Sequence, residues 1–272
     1  MNWWNQLEKR RGSRPRCVLL VDGSREEVAA RLTNLVALPD VTVSPDDKWM
    51  PYGKPVRNPD STWDKTPAKE AILCESDLLC APISQELLDW WLVVERFANT
   101  PNWDIASTCK VNGQPGLLLV EAKAHQKEPG EQGKALPITP NGWKNHKRIG
   151  RAIAEAAAAL QRATGKPWAI SRDSHYQLSN RFAWSWKIVS LGIPVVLVYL
   201  GFLNAGEMQD QGTLFHTPQE WEEYVKAWSS PLVPSEIWGQ VWTVNNQPLI
   251  PLIRSCEVPF PPACPPFLPA IQ

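Results

Sequence analysis

The sequence has no net charge and no segment that resembles a secretion signal. Its 28 Lys and Arg residues balance 28 Asp and Glu residues over 272 positions. This balance disfavours a protein that binds a polyanion with its whole surface, but it leaves a local basic groove open. The first 16 residues, MNWWNQLEKRRGSRPR, contain no apolar stretch, and they predict a mobile basic arm rather than a leader peptide. We therefore expect a cytoplasmic protein.

Several common functional motifs are also missing. The most apolar stretch, residues 188–203, is short for a membrane span and is interrupted by Ser190, Gly192 and Pro194, so we expect no membrane partner. None of the six cysteines forms a CxxC pair, which favours reduced core cysteines over a zinc site or a disulfide framework. The absence of GxSxG, HExxH and phosphate-loop glycine motifs argues against serine hydrolases, zinc proteases and loop-based nucleotide binding.

Tryptophan and proline, in contrast, are abundant. The chain has 15 Trp and 26 Pro residues, and its hydrophobic fraction of 43% suffices for a substantial core. This composition favours long ordered loops supported by aromatic side chains over a helical bundle.

Hydrophobic patterning predicts an α/β protein with a mixed central sheet flanked by helices. Strands are predicted at residues 17–21, 168–170 and 193–200, and a hairpin at residues 103–111 and 116–124 around the Asn112-Gly113 turn. Helices are predicted at residues 25–36, 66–79, 84–97, 146–164 and 175–191, with a long loop at residues 37–66.

Three regions are expected along the chain. Residues 1–65 form the N-terminal arm and a βα elaboration, residues 66–216 form the core, and residues 217–272 form a Trp- and Pro-rich extension that packs on it. The six Pro residues from Pro259 to Pro269 exclude a helix or a central strand at the end of that extension.

The hairpin is the chemically informative segment, because its second strand, GLLLVEAKA, ends with charged residues. Glu121 and Lys123 are two positions apart, so their side chains leave the strand on one face. With a two-residue turn at Asn112-Gly113, paired positions sum to 225 and Asp104 lies opposite Glu121 on that face. A sum of 227 would place Asp104 opposite Lys123 instead, whereas an even sum would move it to the other face.

Such a patch suits a divalent cation. Asp104, Glu121 and the carbonyl of Ala122 offer the hard oxygen ligands that Mg²⁺ (or Mn²⁺) prefers. Lys123, beside the cation, would orient or deprotonate a water and stabilise the charge of a phosphoryl transition state. A salt bridge at a strand end is the simpler alternative for the same charged side chains.

The succession of Asp104, a hairpin and a hydrophobic strand that ends in Glu121-Ala122-Lys123 resembles the PD-(D/E)xK nuclease superfamily, which has the restriction-endonuclease-like fold. The similarity covers residues 66–203, and it departs from the first motif because Trp103 precedes Asp104. The resemblance implies Mg²⁺-dependent hydrolysis of phosphodiester bonds, with Asp104 and Glu121 as metal ligands and Lys123 as the base that positions water.

The resemblance also points to residues outside the hairpin. Gln177 resembles a Gln that some members carry near the metal site, on the helix after the ExK strand, and Arg181 lies one turn further along the same helix face. Members often carry a metal-site Glu in the first core helix, and the candidates here are Glu70, Glu75 and Glu86. An ordinary polar helix face and solvated acids are the alternatives.

A basic stretch follows the hairpin. Residues 123–151 carry seven Lys or Arg against two Glu, which suits contacts with a phosphate backbone, and Trp143 is available for base stacking. The residues expected to contact nucleic acid are Lys127, Lys144, Lys147, Arg148 and Arg181. We expect DNA rather than RNA, and an ordinary soluble loop and helix face is the alternative.

The leading hypothesis is therefore a metal-dependent nuclease. The second is a catalytically inactive nuclease-like scaffold that binds nucleic acid or a protein partner, which zero net charge and abundant Trp favour. The third is an unrelated α/β enzyme that uses Asp22, directly after the first predicted strand. The sequence neither predicts nor excludes a homodimer, because it contains no pattern that identifies a subunit interface.

Overall fold

The computed structural model describes residues 11–96 and 98–260. Within them the chain forms helices α1 (Ser13–Leu20), α2 (Arg25–Val36), α3 (Ala81–Trp91), α4 (Pro140–Thr164), α5 (Tyr176–Ser190) and α6 (Pro218–Ser229). The strands are β1 (Val41–Thr42), β2 (Trp49–Met50), β3 (Val56–Arg57), β4 (Trp63–Asp64), β5 (Ala71–Ile72), β6 (Asn102–Trp103), β7 (Ile105–Val111), β8 (Gln114–Lys123), β9 (Val195–Phe202), β10 (Trp242–Val244) and β11 (Gln247–Cys256). Most of the predicted basic arm and most of the proline-rich tail lie outside the described residues.

One mixed sheet organises the fold. Its strands follow the order β1–β7–β8–β9–β11–β10, and β2 also pairs with β7. The β7–β8 and β10–β11 pairs are antiparallel, whereas β8 and β11 both run parallel to β9 between them. The prediction of an α/β protein with a mixed, helix-flanked sheet is confirmed.

Helices cover both faces of this sheet. On one face, α1 and α2 bury apolar side chains such as Leu32 against the strands. On the other face, α3, α4, α5 and α6 build a second core that is rich in tryptophan, including Trp91 and Trp184. Every residue of β9 is buried between these layers, as expected for a strand that has a neighbour on each side and helices on each face.

The hairpin has the predicted register. Asn112 and Gly113 have φ values of 49° and 76°, which are the left-handed conformations of a type I′ turn. Val111 pairs with Gln114 and Ile105 pairs with Val120, so paired positions sum to 225. Asp104, one residue before β7, is therefore next in line opposite Glu121.

Two of the predicted helices connect β8 to β9. The longer one, α4, begins at Pro140, and the side chain of Thr139 caps it by accepting the Gly142 N–H. It ends at Thr164, which is followed by Gly165 in the left-handed conformation. The predicted apolar stripe of this helix is buried: Ile149, Ile153, Ala156 and Leu160. No helix in the described ranges is long and apolar enough to cross a membrane.

The prediction of a strand at residues 17–21 is wrong, because most of this stretch belongs to α1. Pro15 lies in the first turn of that helix, where its missing N–H costs no hydrogen bond. Cys17, Val18 and Leu20 are buried. A short apolar run suits a buried helix as well as a buried strand, and here the covered sheet face provides the burial.

The predicted helix at residues 66–79 is also wrong. Thr66–Ala68 forms a single 3-10 turn, after which the chain pairs as β5 with β6 and makes a second 3-10 turn. The Thr-Pro start signal therefore opens one turn only, because pairing with a distant strand interrupts the helix. The next helix, α3, begins three residues before the predicted Ser84 and ends at Trp91, well before the predicted end.

Parts of the sheet itself were not predicted. The predicted loop at residues 37–66 supplies β1 and β2, which both pair with β7. The C-terminal hairpin of β10 and β11 places eight residues of β11 alongside β9. Residues 168–170, predicted as a short strand, form no ladder. In each case the presence or absence of a strand depends on a partner strand that is distant in the sequence. A local sequence pattern contains no information about such a partner.

A close approach between Gly201 and Trp221 provides a stability prediction. A β-carbon at Gly201 would lie 2.5 Å from the buried indole of Trp221. We therefore expect Gly201→Ala to lower the free energy of unfolding by about 1–3 kcal/mol in urea denaturation. Gly206→Ala is the matched control, because nothing lies within 4 Å of its added carbon. Equal losses in the two variants would contradict the predicted clash.

Candidate active site

The side chain of Asp104 completes the hydrogen bonding at the end of the hairpin. Its carboxylate accepts a hydrogen bond from the Ala122 N–H at 2.7 Å, where a longer partner strand would offer a backbone carbonyl. Because the N–H and C=O of one strand residue point to the same side, the carbonyl of Ala122 also faces Asp104. Two of the three oxygen donors predicted for a metal therefore lie on one side of β8, and the third belongs to the adjacent Glu121.

Glu121 is a buried carboxylate held by two cations. Its side chain is 1% exposed, Lys123 binds its Oε1 atom, and the Nε of Arg181 binds its Oε2 atom at 2.6 Å. Burial by itself raises the pKa of Glu121, but the charges of Arg181 and Lys123 outweigh burial and lower the pKa. Glu121 therefore keeps its negative charge inside the fold.

Lys123 links the hairpin to α5. Its ammonium also donates to Oε1 of Gln177 at 2.9 Å. Burial opposes the charge of Lys123, yet the carboxylates of Glu121 and Asp104 outweigh it, and the pKa of Lys123 is raised. Lys123 is thus a protonated hydrogen-bond donor at neutral pH, and the structure brings it together with Asp104, Glu121 and Gln177.

Arg181, predicted to contact nucleic acid, lies inside this site. Besides binding Glu121, its guanidinium donates to Oδ1 of Asn180 at 2.8 Å and to the carbonyl of Asn102 at 2.5 Å. It also stacks over Trp103, with 4.6 Å between the guanidinium carbon and the ring centroid. These contacts make Arg181 a fixed internal counter-ion for Glu121.

The same residues line one open pocket of ≈ 570 Å³. Glu70 at its rim accepts from the side chain of Asn102 at 3.4 Å and pairs with Arg14 at 3.4 Å. Glu128 accepts from the hydroxyl of Ser13 at 2.5 Å. The lining contains four carboxylates and three cationic side chains, so the pocket has one excess negative charge when Asp104 is ionised, and this charge favours a cation.

The three candidate helix acids have different surroundings. Glu70 lines the pocket, but it lies in the loop before β5 rather than in a helix. Glu75 is exposed. Glu86, on α3, forms an exposed ion pair with Lys187 at 3.1 Å. Of the three, only Glu70 is placed where its carboxylate can add to the charge of the site.

The other predicted nucleic-acid contacts do not line this pocket. Arg148 donates to two backbone carbonyls near the end of α3, so it ties α4 to α3. Lys127, Lys144 and Lys147 are exposed, and Lys127 and Lys147 line two separate surface depressions. The basic residues of the stretch after the hairpin are therefore spread over the surface.

The available donors fit a hard divalent cation in type but are few. Among the residues with described positions, no group of three or more His, Cys, Asp or Glu side chains is arranged to hold a metal ion. Asp104, Glu121 and the Ala122 carbonyl remain as the protein ligands on offer. Mg²⁺ commonly keeps several waters and takes only one or two carboxylates from a protein, so this small donor set is compatible with it.

Sequence reasoning missed part of the pocket. Ser13 and Arg14 line it because α1 begins there, and no local signal could reveal this contact. Asn180 also lines it, and it stands three residues after Gln177, so the shared helix face predicted for Gln177 and Arg181 could have included it.

Comparisons of the chain with protein-family models, with curated proteins and with solved structures found no match.

The pKa of Asp104 leads to a prediction about pH. Burial and the charge of Glu121 raise it to about 7, whereas an aspartate in an unfolded chain titrates near ~3.9. Between these values the folded state binds a proton that the unfolded state does not. Stability is therefore expected to fall as pH rises through this window, by at most about 1.4 kcal/mol per pH unit.

Asp104→Asn tests this expectation, since it retains an acceptor for the Ala122 N–H but does not titrate. Urea unfolding of both proteins, measured from about pH 4.5 to about pH 7.5, should show the wild type losing stability relative to the variant as pH rises. A stability difference that stays constant over this range would rule out the raised pKa.

Arg181→Met leaves Glu121 buried with Lys123 as its one described cationic partner. Removing one member of a buried ion pair costs about 3–5 kcal/mol, so we expect a loss of this size in urea denaturation. Lys226→Met is the matched control, because it removes an exposed partner of Glu222 and should cost no more than about 0.5 kcal/mol. Similar losses in both variants would show that Arg181 does not stabilise Glu121.

Proposed function

We propose that this protein is a metal-dependent nuclease that hydrolyses phosphodiester bonds, with Mg²⁺ (or Mn²⁺) held at the end of the hairpin. The observation that carries the proposal is the convergence of Asp104, Glu121 and Lys123 in one open pocket, with Gln177 hydrogen-bonded to Lys123. The order of hairpin, helical crossover and parallel buried strand around the pocket supports the resemblance to the PD-(D/E)xK superfamily.

The charge of the pocket supports a cation there. Asp104, Glu121 and the Ala122 carbonyl would hold it, and Asp104 would give up its proton on binding, so metal affinity should fall at pH values below about 7. When bound, a divalent cation supplies Lewis-acid stabilisation of phosphoryl oxygens and a more acidic water. Glu70 at the rim adds negative charge on the solvent side.

Lys123 has a more restricted role than a general base. In the reaction, water forms a new phosphorus–oxygen bond while the bond to the leaving oxygen breaks, and charge is spread over the remaining oxygens. In the site without a metal, Glu121 and Asp104 raise the pKa of Lys123, so its ammonium would be on hand to donate to one of these oxygens. Gln177 would keep the ammonium in place when the Glu121 oxygen is taken by a cation.

A non-catalytic scaffold that binds nucleic acid or a protein partner is the second candidate. One observation favours it: both carboxylate oxygens of Glu121 already accept from Lys123 and Arg181. Each oxygen has a second lone pair, but a cation bound there would lie close to the positive charges of Lys123 and Arg181, which opposes coordination. Lys123 is the donor that would move away, since it has Gln177 as a second partner.

Cleavage assays with and without Mg²⁺ or Mn²⁺, on single- and double-stranded DNA and RNA, test the two candidates. We expect metal-dependent cleavage of DNA, and a rate roughly 100- to 1,000-fold lower for Lys123→Ala because one donor to the transition state is lost. Lys226→Ala, an exposed lysine variant on α6, should retain the wild-type rate.

Calorimetry with Mg²⁺ complements the assay. Glu121→Gln should abolish metal binding together with cleavage if Glu121 is a ligand. A folded wild type that neither cleaves nor binds metal, but does bind nucleic acid or a protein, would establish the scaffold instead. Cleavage that persists unchanged in Lys123→Ala would point to a different centre, such as one around Asp22.

A further inference from the structure

A second pocket lies next to the candidate active site, at the start of α4. It has a volume of ≈ 680 Å³, and its walls include the apolar side chains of Leu92, Pro137 and Ile149. Two of its described lining residues, Arg96 and Lys134, are cationic, whereas no carboxylate belongs to the described lining. Apolar walls with positive charge suit a ligand that is itself part apolar and part anionic.

Exposed apolar side chains occur on the chain segments that form this pocket. Ile138, 98% exposed, and Trp143, 43% exposed, are sequence neighbours of lining residues, and Trp143 also contacts the ring of the lining residue His146. Leu136 and Val93 are also exposed and lie next to lining residues. Large apolar side chains left exposed near one pocket favour a binding site there, and the other large exposed apolar side chains of the described residues, Tyr52, Val56 and Val241, belong to other segments of the chain.

One polar side chain in the lining of the pocket has a ring nitrogen without a hydrogen-bond partner. His146 lines it and packs edge-on against Trp143, with 5.5 Å between the ring centroids. The side chain is 2% exposed, and its Nδ1 atom is buried without a hydrogen-bond partner. Burial, aided by the charge of Arg172, lowers the pKa of His146, so its ring is neutral. A buried polar atom without a partner is costly, and this one is covered by protein, so the edge of the ring that meets Trp143 is its contact with the rest of the pocket.

A side-chain contact joins the lining of this pocket to the lining of the candidate active site. The ammonium of Lys134, in the second pocket, lies 4.7 Å from the ring centroid of Tyr176. Tyr176 lines the pocket of the candidate active site, which we call the carboxylate pocket. The wall is held by a β-bridge between Gln132 and Ser174 and by a hydrogen bond from the Tyr176 N–H to the Gln132 carbonyl at 3.0 Å. A ligand that occupies both pockets needs to cross only this wall.

We propose that the second pocket binds a nucleobase of a single-stranded nucleic acid whose backbone enters the carboxylate pocket. Trp143 stacks on the base, and Lys134 lies beside the connecting phosphate. The strand is single because a base within a duplex has its faces and edges already occupied. This inference rests on the proposed function for the identity of the ligand, and it adds the strand type and the place of one base.

The test measures binding without requiring cleavage. Fluorescence anisotropy with dye-labelled single-stranded DNA, in the presence of EDTA, gives the affinity of the full chain. We expect Trp143→Ala to weaken binding by roughly 5- to 150-fold, the range for loss of one stacked base, and Trp143→Phe to retain most of it. Tyr52→Ala is the matched control, because Tyr52 is an aromatic side chain of similar exposure, 52%, on a separate segment.

Oligonucleotides with one abasic position, moved stepwise along the strand, locate the base. The wild type should lose affinity at one position, and Trp143→Ala should be insensitive to that position. Equal affinities of wild type, Trp143→Ala and Tyr52→Ala would overturn the inference, as would tighter binding of duplex than of single strands.

The outcomes also separate this inference from the proposed function. Trp143-dependent binding without any metal-dependent cleavage keeps the base pocket and removes the nuclease. Metal-dependent cleavage with unchanged binding and rate in Trp143→Ala keeps the nuclease and removes the base pocket.

Discussion

The buried carboxylate of Glu121 imposes the constraint around which the rest of the site is built. A charge at the end of a buried strand is costly unless cations and hydrogen bonds compensate for it. Lys123 compensates from the same strand, and Arg181 compensates from α5. Arg181 in turn requires the Asn102 carbonyl and the face of Trp103, so the orientation of α5 and the position of β6 depend on the same charge.

The two adjacent pockets differ in electrostatic character. The described lining of the first combines four carboxylates with three cationic side chains, while that of the second has two cationic side chains, no carboxylate and apolar walls. The chain as a whole is neutral, so this separation of charge comes from placement rather than from composition. It matches a ligand that brings a metal ion to one pocket and a negatively charged, partly aromatic group to the other.

The predictable part of the structure is the part governed by short-range rules. Asn112-Gly113 and the two-residue period of strands predicted the register that places Asp104 opposite Glu121, with a register that sums to 227 as an alternative that the structure excludes. Helical spacing identified Gln177 and Arg181 together. The wrong predictions concern segments whose structure depends on residues far away in the sequence. Cys17 is buried against a sheet face that distant strands form, and the pairing of β5 with β6 interrupts residues 66–79. The consecutive left-handed residues Asn245 and Asn246, which join β10 to β11, were a local hairpin signal that went unused.

The place of β11 in the sheet has a consequence for synthesis on the ribosome. The central strand β9 receives its second neighbour from residues 247–256, more than forty positions later in the chain. Until translation has reached that segment, one hydrogen-bonding edge of β9 is open, and it carries the apolar run VVLVYLGF. Such an edge readily pairs with other chains. The nascent protein therefore passes through a stage in which this edge is unpaired, and a chain truncated between residues 202 and 247 would be prone to aggregate.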